Sequence, residues 1–250
     1  VSAQGSFAAI ARDDGRAALV TAVRGPRAGA RLLVRADGEP EGTLGDSALD
    51  AEALAHAQEL MWAERSELRG DLFVDVTAPA PRLVIFGAVE YAVHLAHFAR
   101  VAGWRAFVVD PRARFATPER FPDAAAVLPA WPAPALAELG AIDRATYLVV
   151  LTHDPKLDDA ALLLALGAEP AYIGAMGSRR AQADRRERLL AAGVAEADLA
   201  RISAPVGLDL GGVTSEETAL SIMAELVAVR YGRDGGRLSQ REGRIHEVGA

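Results

Sequence analysis

The sequence predicts an α/β protein: a parallel-sheet domain preceded by a small α+β domain. Three observations predict it. After residue 82, short apolar runs alternate with helical stretches. That alternation is the signature of a parallel sheet covered on both faces. Before residue 77, extended stretches surround one alanine- and glutamate-rich stretch. Between the two regions lies "TAPAPR" (77–82), a Pro/Ala-rich connector. The predicted divisions are 1–77, 82–232 and a polar, Gly-rich tail at 233–250.

In the first region, "ALVTAV" (18–23), "RLLVRAD" (31–37) and "DLFVDV" (71–76) read as strands. The stretch 47–67, with Leu49, Leu54, Leu60 and Met61 as its apolar positions, reads as a helix capped by Asp46 or Ser47. In the second region, "RLVIFG" (82–87) is an apolar strand ending in glycine, followed by a helix over 89–102 closed by Gly103. "RAFVVD" (105–110) is the second strand, "AAAVLPA" (124–130) a third and "TYLVVLTHD" (146–154) a fourth. A helix over 158–167 and the strand "PAYIGAMG" (170–177) follow. An Arg-rich helix then runs to Gly193, and an amphipathic helix spans 216–232.

Composition bounds the function. The chain has 250 residues, 51% hydrophobic and 24% charged, with a net charge of −7. That is the composition of a folded globular protein. Its acidity argues against non-specific nucleic-acid binding. Without cysteine, disulfides, thiolate metal ligation and thiol catalysis are excluded. No apolar run reaches the ~18 residues of a membrane span. "VSAQGSF" carries neither a basic nor an apolar leader region. A cytoplasmic protein is the expectation.

The turn "IFGAVEYA" (85–92) lies where a dinucleotide-binding glycine fingerprint belongs, between strand and helix. Asp110, 23 residues beyond Gly87, lies where a ribose-binding carboxylate would sit. Yet the second glycine position holds Val89, bulky where backbone must approach pyrophosphate, and Glu90 adds a negative charge. A Rossmann-like turn that binds no dinucleotide is the favoured reading, so an NAD(P) site is doubtful. Glu90, His94 and His97 share a helix face. With no further ligand nearby, they read as a polar stripe rather than a metal site.

Thr152, His153, Asp154 and Lys156 emerge at the carboxyl end of the fourth strand, the edge where open α/β sheets bind ligands. They read equally as a ligand loop or as a capped turn with Asp154 as N-cap. On the next strand, "YIGAMGSRR" (172–180) puts Gly174 and Gly177 into a turn, Ser178 at an N-cap and Arg179 and Arg180 in the first helical turn. Cations there face a positive helix end unless an anion is present. A solvated face explains Arg185, Arg186 and Arg188 further along. Gly207, Asp209, Gly211 and Gly212 form a last glycine-rich loop before a helix capped at Thr214 or Ser215, with Glu217 completing a capping box.

"VVDPRARFATPERFP" (108–122), "VLTHDPKLD" (150–158), "YIGAMGSRR" (172–180) and "APVGLDLGG…EETALSIMAELVA" (204–228) together closely resemble the XdhC/CoxI family. These are accessory proteins of molybdenum hydroxylases such as xanthine dehydrogenase and CO dehydrogenase. The resemblance is strong over 82–230 and extends in outline to 18–45. It implies a Rossmann-like parallel sheet and a non-catalytic chaperone role. In that role the protein would bind molybdenum cofactor (molybdopterin), protect it during sulfuration and help insert it. The implied partners are an apo molybdenum hydroxylase, a cysteine desulfurase and a second copy of the chain as a homodimer. The cofactor's phosphate is then the candidate anion at Gly174 to Arg180.

Two departures from the family pattern stand out. A Gly-Gly-Cys motif is replaced by Asp46-Ser47-Ala48, and Gly-Ala-Gly at the first turn by Gly87-Ala88-Val89, with Glu90 where a histidine often follows. An NAD(P)-dependent oxidoreductase and a degenerate protein-interaction module are the alternative readings.

Overall fold

The computed structural model describes residues 2–36 and 38–242. The chain divides into two compact units, Val1–Ala80 with Arg237–Ala250, and Pro81–Gly236.

The first unit opens with helix α1 (Ala3–Arg12) and strands β1 (Ala17–Ala22), β2 (Arg31–Arg35) and β3 (Glu41–Thr43). Helix α2 (Ser47–Trp62) and strands β4 (Glu67–Arg69) and β5 (Leu72–Thr77) complete it. The strands form an antiparallel sheet in the order β3-β2-β1-β5-β4. Alternation sorts β1 between two faces. Ala18, Val20 and Ala22 pack with Ala53, Ala57, Leu60 and Met61 of α2. Ala17 and Leu19 face Phe7 and Ile10 of α1. The strand expected at 31–37 ends at Arg35, and Asp37 lies outside the described residues. The helix expected at 47–67 stops at Trp62, just before Glu64 takes a φ of 51°. Asp46 is its cap, accepting from the Ala48 and Leu49 amides at 3.0 and 3.1 Å.

The second unit alternates as the sequence predicts. Its strands are β6 (Arg82–Phe86), β7 (Arg105–Val109), β8 (Ala126–Leu128), β9 (Thr146–Val150), β10 (Tyr172–Ala175) and β11 (Ile202–Ser203). Its helices are α3 (Glu90–Val101), α4 (Pro132–Leu139), α5 (Pro155–Leu166), α6 (Arg179–Ala191), α7 (Glu196–Leu199) and α8 (Ser215–Arg230). The sheet is parallel throughout, in the order β11-β10-β9-β6-β7-β8. Leu83 and Ile85 pack on one face with Leu95 of α3 and Ile222 of α8. Val84 and Phe86 pack on the other with Leu136 of α4, Leu162 of α5 and Leu189 of α6.

Winding proceeds from β6 outward to β8, then returns to place β9 on the other side of β6. The carboxyl ends of β6 and β9 therefore flank the switch point where such sheets bind ligands. The strand expected at 146–154 ends at Val150, because Asp154 caps α5. The third strand contracts to three residues. Helix α4 starts at Pro132, where a missing amide costs nothing. Leu238–Gln240 form a 3₁₀ turn, and the part of the expected tail at 243–250 lies outside the described residues.

Candidate functional site

At the switch point Gly87 adopts φ +116°, and a Cβ there would stand 2.4 Å from Thr152 Cγ2. The glycine is required by close approach of the two loops rather than by an open cradle. Its amide donates to the Val109 carbonyl at 2.8 Å, and the Leu151 amide to Phe86 at 2.9 Å. Val89 is the N-cap of α3 and provides no side-chain cap.

Asp110 is fully buried and committed. It accepts from the Ala88 amide at 2.8 Å, from the Arg112 amide at 2.9 Å, and from Arg112 Nε and Nη2 at 2.9 and 2.6 Å. Burial would raise its carboxyl, but the Arg112 fork and the two amides outweigh burial and hold it below the usual range. The same pairing raises the Arg112 guanidinium, with Asp154 adding to the effect. Asp110 thus ties the second strand to the first turn and has no oxygen turned to a ribose.

Thr152 is buried and donates to Asp158 in α5. Asp158 meets Arg185 of α6 at 3.0 Å, and Arg185 Nη2 also donates to the Met176 carbonyl at 2.9 Å. The expectation of a solvated face is corrected for Arg185, while Arg186 lies exposed as expected and Arg188 is partly so. Arg185 lies inside the protein, Arg186 pairs with Glu196, and Arg188 holds Asp159 through two bonds of 2.7 and 3.0 Å.

Asp154 takes the capping alternative, accepting from the Lys156 amide at 3.0 Å, while His153 is exposed beside it. Ser178 caps α6, accepting from the Ala181 amide at 3.3 Å. Gly177, at φ +137°, stands where a Cβ would press on Ala181 and Gln182 at 3.2 Å. Arg179 and Arg180 are exposed, and neither makes an ion pair among the described residues.

Gly174, expected in the turn, lies instead inside β10, where its need is close approach: Tyr172 and Val206 would each meet a Cβ at 2.7 Å. Gly207, at φ +111°, packs against Ser221 of α8 and donates its amide to Glu225. Asp209 is exposed in the loop beyond. Thr214 and Glu217 form the capping box of α8. On α3, His94 lies 3.6 Å from Glu216, and His97 lies 2.7 Å from Asp123. Among the described residues no cluster of three or more acidic or histidine side chains could hold a metal.

Sequence reasoning missed Arg112, Arg120, Asp158 and Arg185 as organisers of this edge. Arg112 carried a signal, since it follows a strand-end aspartate by two residues. Arg185 carried none.

A doubly wound parallel sheet with a glycine turn at its switch point defines a Rossmann-type domain. Residues 83–226 match the XdhC Rossmann domain and residues 10–70 the XdhC and CoxI family, and the chain belongs to that family. It is 28% identical over 84% of its length to the uncharacterized protein YqeB of Escherichia coli, of which it covers 42%. It is 32% identical over 64% of its length to a probable xanthine dehydrogenase subunit of Bacillus subtilis, covering 46% of that protein. It is 30% identical over 61% of its length to the molybdenum cofactor insertion chaperone PaoD of E. coli, covering 41%. The chain thus spans under half the length of these relatives. A crystal structure of a xanthine dehydrogenase from Bacillus halodurans shares the fold, with TM-score 0.63 and 24% identity, over 88% of this chain and 64% of that one.

Proposed function

We propose that this protein is a cytoplasmic maturation factor that holds molybdenum cofactor, assists its sulfuration and delivers it to an apo molybdenum hydroxylase. A cysteine desulfurase and a second copy of the chain complete the proposed set of partners. One observation carries the reading. Of the five arginines of α6, three are engaged by acidic partners, whereas Arg179 and Arg180 stand exposed and, among the described residues, without ion pairs beside the Ser178 cap. Free guanidiniums at a helix start fit a phosphate, which gains helix amides and a planar fork together. The relationship to PaoD supports this choice of cofactor.

The donor set fits the cofactor's phosphate rather than its metal. The chain has no cysteine, so it offers no thiolate to molybdenum. When bound, the cofactor would supply the redox centre of the recipient enzyme. This chain's residues would bind and orient it.

Titration with molybdopterin or a phosphate mimic tests the proposal. A charge-assisted contact contributes roughly 1.5–3 kcal/mol, so Arg179→Ala and Arg180→Ala should each weaken binding about tenfold to a hundredfold. Arg186→Ala, whose partner is Glu196, should do much less. Equal binding by all three variants overturns the reading.

A further inference from the structure

The loop after β7 gathers three arginines around one aromatic ring. The guanidinium carbons of Arg112, Arg114 and Arg120 lie 5.0, 4.5 and 5.7 Å from the centroid of Phe115. Arg120 is held by the backbone, with Nη1 donating to the carbonyls of Ala88 at 3.1 Å and Phe115 at 2.9 Å. Arg112 commits Nε and Nη2 to Asp110 and leaves Nη1 without a partner among the described residues, its side chain 44% exposed. Arg114 is exposed, and among the described residues neither it nor Arg120 has an acidic partner.

Asp110 is therefore the one carboxylate paired within this trio among the described residues. Like charges gathered on one ring repel, and stacking on the ring offsets this only in part. An anion between them would relieve the rest. The location selects the kind of anion. In doubly wound sheets the end of the second strand faces a nucleotide's sugar, and an arginine there takes a sugar phosphate in place of a hydroxyl. Here the carboxylate that would read a hydroxyl is buried and committed to Arg112 and Ala88.

We infer that Arg112, Arg114 and Arg120, stacked about Phe115, form a binding site for a phosphomonoester, separate from the one proposed at Arg179 and Arg180. The two lie on opposite sides of the switch point. In the order β10-β9-β6-β7 their strands are three spacings apart, roughly 14 Å. The monoester's source is a nucleotide's sugar phosphate or a pterin's phosphate.

Calorimetry on the full chain separates these sources with two matched pairs. One pair is adenosine 2′,5′-bisphosphate against 5′-AMP; the other is a hydroxymethylpterin monophosphate against the free pterin. The phosphorylated member of at least one pair should bind about tenfold tighter or more, and that pair identifies the source. Arg114→Ala should erase the difference and Arg114→Lys restore part of it. Arg179→Ala should leave it intact, which keeps this test independent of the cofactor proposal. The inference is overturned if neither pair discriminates, if Arg114→Ala changes nothing, or if Arg179→Ala abolishes the discrimination.

Discussion

Asp158 of α5 and Arg185 of α6 form an ion pair of 3.0 Å with side chains only 4% and 6% exposed. Beneath the candidate phosphate site, the pair joins the end of β9, through Thr152, to the turn that launches α6, through the Met176 carbonyl. Breaking one side of a buried pair strands the other charge and costs about 3–5 kcal/mol. Asp158→Leu and Arg185→Met should each lower stability by that order in urea denaturation. The double variant Asp158→Leu with Arg185→Met should cost clearly less than the sum, because it strands no charge. Additive losses would mean that the pair is not coupled.

Asp110 is expected to give a pH signature. Its carboxyl lies below its ordinary value of 3.8 in the folded protein. A depressed carboxylate stabilises the fold above its unfolded pKa and loses that contribution as the pH falls through its folded pKa. The stability gap between the wild type and Asp110→Asn should be full at neutral pH and narrow on acidification below 3.8. A gap independent of pH would show that Asp110 acts by shape alone.

Gly87→Ala tests the close approach at the switch point. The added methyl would stand 2.4 Å from Thr152 Cγ2 at a φ of +116°. Gly103 also has a positive φ, of +78°, but open space around its Cβ position. Gly87→Ala should therefore lower the Tm more than Gly103→Ala, and adding Thr152→Ser should recover part of the difference. Equal losses would place the cost in backbone conformation alone.

NAD(H), which carries no sugar phosphomonoester, should bind feebly. Val89 occupies the position where a pyrophosphate needs bare backbone, Glu90 follows it, and Asp110 has no oxygen free for ribose. Calorimetry showing micromolar NAD(H) affinity would defeat this expectation. If the site is merely eroded, Val89→Gly with Glu90→His should improve binding.

Limited proteolysis should separate residues 1–77 from 82–232. The connector between β5 and β6 is only residues 78–81. Early cuts are expected there or beyond Tyr231. A first cut within 146–230 would contradict independent folding of the second unit.

The strands and helices that build the second unit's core could be read from the sequence because their cause is local. Runs such as Leu83 to Phe86 and Leu148 to Leu151 are apolar on both faces, which only a covered parallel sheet buries. The cap at Ser178 was equally readable, and those at Asp46 and Thr214 were each narrowed to one of two adjacent residues, since a capping side chain bonds amides two or three residues away. Short elements such as α4 and β11 were not readable, being too brief to establish a period of their own.

The carboxyl edge of the sheet was legible as well, because strand ends and glycine turns mark it. Which charges on that edge are free was not. Arg179 and Arg185 lie on one helix, six residues apart, and are alike in sequence. One is exposed without an ion pair among the described residues, and the other is buried on Asp158. Pairing across 27 residues depends on β9 and β10 being neighbours, which brings α5 against α6 on the same face. The same holds for Asp110, placed by the sequence at a ribose and withdrawn by an amide from the neighbouring strand's turn. Hydrophobic period is written along the chain, whereas charge partners are set by strand order, which brings distant residues within hydrogen-bonding reach.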